Sequence, residues 1–335
     1  MDLEPRFVVE PASDWELYSN AWSSAMSQHY WYKEDPVFDF NKHEELDEMQ
    51  ADFGKSGNLF LVARVPDHDE IVGVLGLRYR NIVARIRRWE PAVIPRFRSS
   101  TAATALLEQA LKHLTSMGVK RISCLMKHPE GSPEAAMDIL RLYELAGFSR
   151  DRPDSIDMTT SIDSIQELKT YPEGVQIETG ENYTFEDMAS ITVKSFTSTA
   201  EEREIHGFDK TVTEHIQATS LLQRMAEGYY GDSPDSFRKI AVVDGAPAGF
   251  LGGFVSKSKH KPLTGVLGPM AVLPEYRRKG IALYLVNDLL STMKEYGCEY
   301  AAVGTPAAND GAIVLYEKAG FKLSGRLISL VRDLS

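Results

Sequence analysis

The chain has 335 residues, a formal net charge of −11 and 43 % hydrophobic residues, which is long for one average domain and sufficient for two with proper cores. It contains no apolar run of about 18 residues, which excludes a helical membrane span, and its acidic balance argues against nucleic acid as the main partner. Two cysteines are too few for a disulfide framework, and with an acidic start that lacks an apolar signal core they predict a cytoplasmic protein.

The first third of the chain alternates strand and helix signals. An acidic helix and an aromatic, irregular stretch separate the first strand and helix from three further strands, and we expect the acidic helix to present its charges to solvent. The predicted order is a strand at 6–10, a helix at 12–28, the aromatic stretch at 29–32, the acidic helix at 44–53, strands at 59–63 and 71–77 joined by a polar turn at 66–70, and a strand that ends at 92–95.

Two segments of the chain repeat one another. Residues 95–103 align with residues 274–282, and the helices that follow keep this offset of 179 residues without a gap. Both helices place apolar residues on one face and end at a glycine, Gly118 or Gly297, which suits the C′ position. The chain is therefore an internal duplication of one α/β unit. The matched apolar positions are Ala103, Leu106, Leu107, Ala110, Leu111 and Leu114 in the first copy and Ala282, Leu285, Val286, Leu289, Leu290 and Met293 in the second; strands at 121–125 and 300–303 follow, and 142–148 then matches 315–321.

The second copy has clear strand and turn signals of its own. Asp244-Gly245 lies between two apolar runs and predicts a hairpin. Pro269 cannot donate a ladder hydrogen bond, so the pair Gly268-Pro269 predicts a bulge or broken edge in its strand. The predicted order is the closing strand of the first copy at 154–162, a linker at 163–173, a strand at 175–178, a helix at 184–196, a polar helical segment at 197–228, strands at 240–243 and 248–255, and a strand at 266–273.

The turn after that last strand has the form R-x-x-G-x-A, from Arg277 to Ala282. Gly280 lets the backbone fold tightly and approach a ligand, and N–H groups at the start of the following helix would converge there. Arg277, Arg278 and Lys279 add positive charge, which would suit a pyrophosphate. A basic strand-to-helix turn with no ligand is the alternative.

A second motif, N-x-x-A-x-x-L-Y-x-K-x-G-F, runs from Asn309 to Phe321. The two motifs, in this order and at this separation, resemble the GNAT superfamily of acyl-CoA-dependent N-acetyltransferases over residues 173–335. The resemblance implies an α/β fold (an α+β mixed sheet) in two tandem GNAT-like acyl-CoA N-acyltransferase domains, a layout similar to that of mycothiol synthase. We expect a first domain at 1–162, the linker, and a second domain at 174–335 that holds the acetyl-CoA site.

The first copy lacks the polar groups of the second. Thr101 replaces Gly280, Ser99 and Ser100 replace the basic pair, and Ala136 stands in place of Asn309. Threonine disfavours the positive φ that glycine allows. The first copy is therefore expected to be a scaffold without CoA, with retained binding in an altered mode as the alternative.

The resemblance implies a role for each residue of the second copy's motifs. Acetyl-CoA would be the cosubstrate and a primary amine of a small molecule or peptide the acceptor, with no metal, nucleic acid or membrane partner. Tyr316 would be the general acid that protonates the departing thiolate, although its position also suits a core tyrosine. The expected cofactor-binding residues are Met270, Ala271, Val272, Arg277, Arg278, Lys279, Gly280, Ile281, Ala282 and Asn309.

The general base is left open by the sequence. No glutamate lies between Gly265 and Val272, where many family members place one. A water, or a residue of the acceptor segment at 197–228 such as Glu204 or His206, could serve. Each histidine of that segment is expected on the surface. The competing function is a non-catalytic acyl-CoA-binding or interaction protein built on the same fold, and the oligomeric state is not predicted.

Overall fold

The computed structural model describes residues 7–27, 41–66, 70–98, 101–131, 133–165 and 171–334. The aromatic stretch at 29–32, most of the turn at 66–70, Ser99 and Ser100, and the centre of the predicted linker lie outside these ranges. None of the helices in the described ranges is long and apolar enough to cross a membrane.

The strands and helices follow the predicted order closely, with boundaries that differ by a few residues. In chain order they are β1 Val8–Pro11, α1 Trp15–Ser27, α2 Lys42–Asp52, β2 Asn58–Val65, β3 Glu70–Arg80, β4 Val83–Ile86, β5 Ala92–Val93, α3 Ala102–Ser116, β6 Arg121–Pro129, α4 Pro133–Leu145, β7 Ser149–Arg150, β8 Ser155–Ser161, β9 Val175–Thr179, α5 Phe185–Phe196, α6 Ala200–His206, α7 Lys210–Thr213, α8 His215–Ala226, β10 Gly231–Asp232, β11 Lys239–Val243, β12 Ala246–Ser256, β13 Thr264–Val272, α9 Ile281–Tyr296, β14 Tyr300–Pro306, α10 Asp310–Lys318 and β15 Lys322–Asp333.

The chain forms two compact units. Unit 1 comprises residues 1–154 and 325–335, and unit 2 comprises residues 155–324. The strands of unit 1 lie in the order β1-β2-β3-β4-β6-β15, and those of unit 2 in the order β8-β14-β13-β12-β11-β9. In unit 2, α9 and α10 pack on one face of the sheet, and α5 and α8 pack in a separate apolar cluster with β11, β12 and β13.

The two copies exchange their closing strands, which the sequence did not predict. We expected the strand at 154–162 to complete the first domain, but β8 pairs with β14 of the second copy from Ser155↔Pro306 to Ser161↔Tyr300. The closing strand of the second copy, β15, pairs instead with β6 along residues 325–333. The compact units therefore divide at 154/155 and 324/325 and not at the predicted linker, because each sheet is completed by a strand from the other copy.

Several local predictions are confirmed. Gly118 and Gly297 have φ of 74° and 99° at the ends of α3 and α9, and Asp244 and Gly245 both have positive φ in the hairpin turn. The predicted helix faces are buried except at their first positions. Ala103 and Ala282 are only half-buried, and the faces begin one residue earlier at Ala102 and Ile281.

Candidate active site

Strands β13 and β14 of unit 2 pair for only half of their length. Their parallel pairing runs from Thr264↔Tyr300 to Leu267↔Val303 and then stops. On the other edge of β13, the register with β12 shifts at Gly252, which faces the extra residues Gly268-Pro269. The predicted bulge is confirmed, and beyond it β13 and β14 diverge. We call this opening the splay.

The backbone of β13 beyond the bulge presents polar groups to the splay. Leu273 donates its N–H to the Ala248 carbonyl of β12, at 2.9 Å. Because strand hydrogen bonds alternate in direction, the Ala271 N–H also faces β12, while Met270 and Val272 face the edge that β14 has left. The Ala271 N–H thus serves the sheet and its side chain is buried, and its part in cofactor binding stays a prediction.

The turn that follows β13 has the left-handed geometry that its glycine predicted. Gly280 has φ of 82° and is the N-cap of α9, where no side chain caps the helix. The first intrahelical bond runs from the Tyr284 N–H to the Gly280 carbonyl, so the N–H groups of residues 280–283 have no partner within α9. By contrast, Thr184 caps α5 and Asn309 caps α10. The start of α9 is thus suited to an anion.

The side chain of Arg277 links this turn to helices α5 and α6 through hydrogen bonds. Its Nε donates to the Val272 carbonyl at 3.0 Å, its Nη1 to Glu202 Oε1 at 3.0 Å, and its Nη2 to the Ser195 carbonyl at 2.8 Å. The guanidinium therefore bonds to three protein groups, and the predicted contact of Arg277 with a pyrophosphate stays a prediction. A sequence shows the charge of an arginine but not its distant partners.

Arg278 and Lys279 remain the exposed cations of the turn. Arg278 has φ of 62°, so two residues of this turn lie in the left-handed region. The Lys279 ammonium lies over the Tyr276 ring, 5.4 Å from its centre. Both charges lie next to the uncapped start of α9, as the pyrophosphate prediction requires.

A polar network continues from Arg277 into the acceptor segment. His206 Nε2 lies 3.4 Å from Glu202 Oε2 and 3.4 Å from Asn309 Nδ2. The hydrogen bond from His206 and the charge of Arg277 lower the pKa of the Glu202 carboxyl. We call Arg277, Glu202, His206 and Asn309 the Arg277 network. It connects the turn before α9 with the start of α10.

The two histidines of the acceptor segment differ in burial, so the surface prediction holds for only one of them. His215 is exposed as expected, but His206 is 4 % exposed, so its surface prediction is wrong. His206 is buried because its ring packs edge-on against Phe196, with 4.4 Å between ring centres, and because it has polar partners. Glu204, the other residue suggested as a base, points to solvent.

Asn309 and Tyr316 lie on the helix that follows β14. Asn309 Oδ1 accepts the Ala312 N–H at 3.1 Å and caps α10, so its amide is already used by the helix and by His206. Tyr316 is 4 % exposed and packs edge-on against Phe321 with 5.7 Å between ring centres. Burial raises the pKa of Tyr316, which keeps its hydroxyl protonated at neutral pH.

The matching tyrosine of unit 1 differs in its hydroxyl. Tyr143 packs against Phe148 in the same edge-on manner, and its hydroxyl donates to the Glu90 carbonyl. In the part of the chain that the structure describes, the Tyr316 hydroxyl makes no such bond. The two rings share a packing role, but only the hydroxyl of Tyr143 has a hydrogen-bond partner among the described residues.

Unit 1 fills the place that stays open in unit 2. Its strand β4 pairs with β6 only as far as Ile86, and Glu90 then turns inward and is 3 % exposed. The Glu90 carboxyl accepts the Tyr18 hydroxyl at 3.1 Å and the Gly76 N–H, and burial raises its pKa to about 7. In unit 2, a Cβ placed on Gly268 would meet no atom of the described residues within 4 Å.

The sequence model of the acetyltransferase (GNAT) family matches two regions of the chain, residues 25–148 and 201–321. The chain belongs to this family. Two matches in one chain confirm the duplication, and the mixed sheets with helices confirm a tandem GNAT fold.

Similar proteins agree with this assignment. A GCN5-related N-acetyltransferase from Sphaerobacter thermophilus superposes over 99 % of this chain and 96 % of its own, with a TM-score of 0.63 and 17 % identity. A tandem GNAT protein from the clavulanic acid biosynthesis pathway superposes over 98 % of both chains, with a TM-score of 0.54 and 17 % identity. At these identities the likeness shows the GNAT fold alone.

Sequence similarity to the curated relatives is local. An N-alpha-acetyltransferase from Saccharolobus solfataricus is 36 % identical over 91 residues, which is 25 % of this chain and 54 % of that protein. The chain therefore spans only about half the length of this curated relative.

Proposed function

We propose that the chain is an acetyl-CoA-dependent N-acetyltransferase whose working site lies in unit 2. The proposal rests on one observation: the open splay and the start of α9, where no side chain caps the helix, occur together in unit 2. β13 leaves β14 after Leu267, and α9 begins nine residues beyond Val272 with its first N–H groups unbonded within the helix. An extended arm with a pyrophosphate at one end needs such a groove and such a helix start.

The pyrophosphate would lie at the turn before α9. The N–H groups of Gly280, Ile281 and Ala282 would donate to it, and the exposed side chains of Arg278 and Lys279 would offset its charge. Ala282 is half-buried and small, so the backbone there stays accessible. Arg277 has a different role in this proposal, since it holds the turn against α5 and α6.

The chemistry takes place in the splay. Acetyl-CoA supplies an acyl thioester, and the amine nitrogen forms a bond to its carbonyl carbon as the carbon–sulfur bond breaks. The Met270 or Val272 N–H would donate to the carbonyl oxygen as negative charge develops there. Tyr316 would give its hydroxyl proton to the departing sulfur. The surplus proton of the amine leaves to a base that we do not assign.

The acceptor is a primary amine of a small molecule or peptide. The names of the relatives favour the α-amine of a peptide as the first acceptor to test, because several are N-alpha-acetyltransferases. Two free, buried cysteines suit the cytoplasmic location that belongs to this proposal.

Unit 1 serves as a scaffold in this proposal. The Glu90 carboxyl is buried just beyond the end of the β4–β6 pairing, and Thr101 is the N-cap residue of α3 with φ of −78° and no side-chain capping bond, where Gly280 has φ of 82°. Both differences remove features that the proposed acetyl-CoA site requires.

A thiol-release assay with acetyl-CoA tests the function directly. We expect CoA release that depends on an added amine, with a panel of short peptides, free amino acids, polyamines and aminoglycosides. Acetyl-CoA that binds but gives no release with any amine would favour the non-catalytic binding protein. A chain that does not bind acetyl-CoA would contradict both functions.

A further inference from the structure

The exchanged strand β8 brings a carboxylate to the sheet beside the splay. Asp157 of β8 is in register with Gly304 of β14, and the Ser324 hydroxyl donates to the Asp157 carbonyl at 3.0 Å. Gly304 is the residue directly after Val303, where the pairing of β14 with β13 ends. Asp157 therefore lies one strand away from the start of the opening.

The Asp157 side chain lies on the face of the sheet opposite α9. Its neighbours Ile156 and Met158 are buried in the apolar cluster that contains α9, and so is Val303. Side chains alternate along a strand, so Asp157 and position 304 both face the other side. A Cβ built on Gly304 would lie 3.4 Å from Asp157 Oδ1, which confirms that the carboxyl lies over this glycine.

Gly304 leaves space between this carboxyl and the splay. The residue is exposed, and Asp157 itself is half-buried. The acceptor segment lies close by, because His206 of α6 contacts Asn309, only three residues beyond the end of β14. Gly304 and the end of α6 thus both lie near the end of β14.

We infer that Asp157 binds the ammonium group of a cationic acceptor beside the splay. This inference rests on the proposed function and adds to it the class of acceptor, an amine that is protonated at neutral pH. Amines of this kind have an ordinary pKa of about 8 to 10 and arrive as cations. A carboxylate that holds the cation with a charge-assisted hydrogen bond places its nitrogen near the carbonyl carbon, and the nitrogen attacks after one ammonium proton has left to the unassigned base.

Glu202 belongs to the Arg277 network, in which its Oε1 accepts from Arg277 at 3.0 Å and its Oε2 lies 3.4 Å from His206. Asp157, which belongs to the first copy, thus supplies an acidic group beside β13, the central strand of the second copy, which has none.

Asp157→Asn tests this assignment, because it keeps the shape of the side chain and removes its charge. With the amine that the parent protein acetylates, we expect KM for the amine to rise about tenfold or more, while the Kd for acetyl-CoA stays within about twofold of the parent. Asp163→Asn is the matched control. It removes the same charge from an exposed side chain that lies 3.5 Å from Lys294, and it should leave KM unchanged.

Gly304→Ala is an independent variant with the charge retained. The added methyl group would occupy the gap between Asp157 and the splay, so KM for the amine should again rise with acetyl-CoA binding preserved. The inference is overturned if Asp157→Asn keeps the parental KM, or if it weakens acetyl-CoA binding as much as amine binding, which a purely structural role would produce. A parent protein that acetylates no amine overturns the proposed function and this inference together, whereas an active parent with an unaffected variant overturns the inference alone.

Discussion

Replacing Tyr316 with phenylalanine should lower kcat by a factor of about 100 to 10,000, the range expected when a general acid is removed. The affinity for acetyl-CoA should not change. The ring would still pack against Phe321, so the loss would be confined to one hydroxyl that has no hydrogen bond among the described residues. Steady-state rates and calorimetric binding of acetyl-CoA by parent and variant measure the two effects separately.

Tyr143→Phe is the natural control, because the duplication supplies the same tyrosine in a unit that we propose to be inactive. Its hydroxyl donates to the buried Glu90 carbonyl, so its removal should destabilise the fold by about 1 kcal/mol. The rate of the purified, folded variant should match that of the parent. Equal rates for the parent and Tyr316→Phe would exclude Tyr316 as the general acid.

A fragment that begins at residue 174, the predicted start of the second domain, should fail to fold. It lacks β8, which pairs with β14 over seven residues and buries Ile156 and Met158 in the core of unit 2. Each of these side chains contributes about 1.5–3 kcal/mol of burial free energy, a large share of the stability of a typical domain. The bare edge of β14 should also promote aggregation.

The fragment 155–324 is the matched comparison, since it contains the whole of unit 2. We expect it to be soluble, to unfold cooperatively on heating and to bind acetyl-CoA. Circular dichroism and thermal unfolding of both fragments show which of them folds. A stable fragment 174–335 that binds acetyl-CoA would show that the exchange of closing strands is dispensable.

The local features of the fold could be predicted because they depend on neighbouring residues. The bulge at Gly268-Pro269, the left-handed Gly280 and the turn at Asp244-Gly245 follow from the backbone preferences of glycine, proline and aspartate. The exchange of β8 and β15 could not be predicted. β8 alternates buried and half-buried residues, whereas β15 buries three consecutive residues near its middle, and neither pattern identifies the strand with which it pairs.

The site was predictable in its backbone and not in its side chains. The positive φ of Gly280 and the broken edge near Met270 were foreseen from residue types. Distant contacts determine the rest, since Arg277 bonds to α5 and α6 and His206 is buried against Phe196. Asp157 could have been found only by knowing which strand lies beside β14.

Calorimetric titration of acetyl-CoA decides whether unit 2 holds the one acetyl-CoA site, as we propose. The intact protein and its Gly280→Thr variant would be compared. Threonine at this position reproduces Thr101 of the first copy, disfavours the φ of 82° and brings a side chain near Pro172. We predict one site per chain in the parent and a loss of affinity of about 100-fold or more in the variant, because several charge-assisted hydrogen bonds would be lost. Two sites in the parent, or unchanged affinity in the variant, would contradict the account.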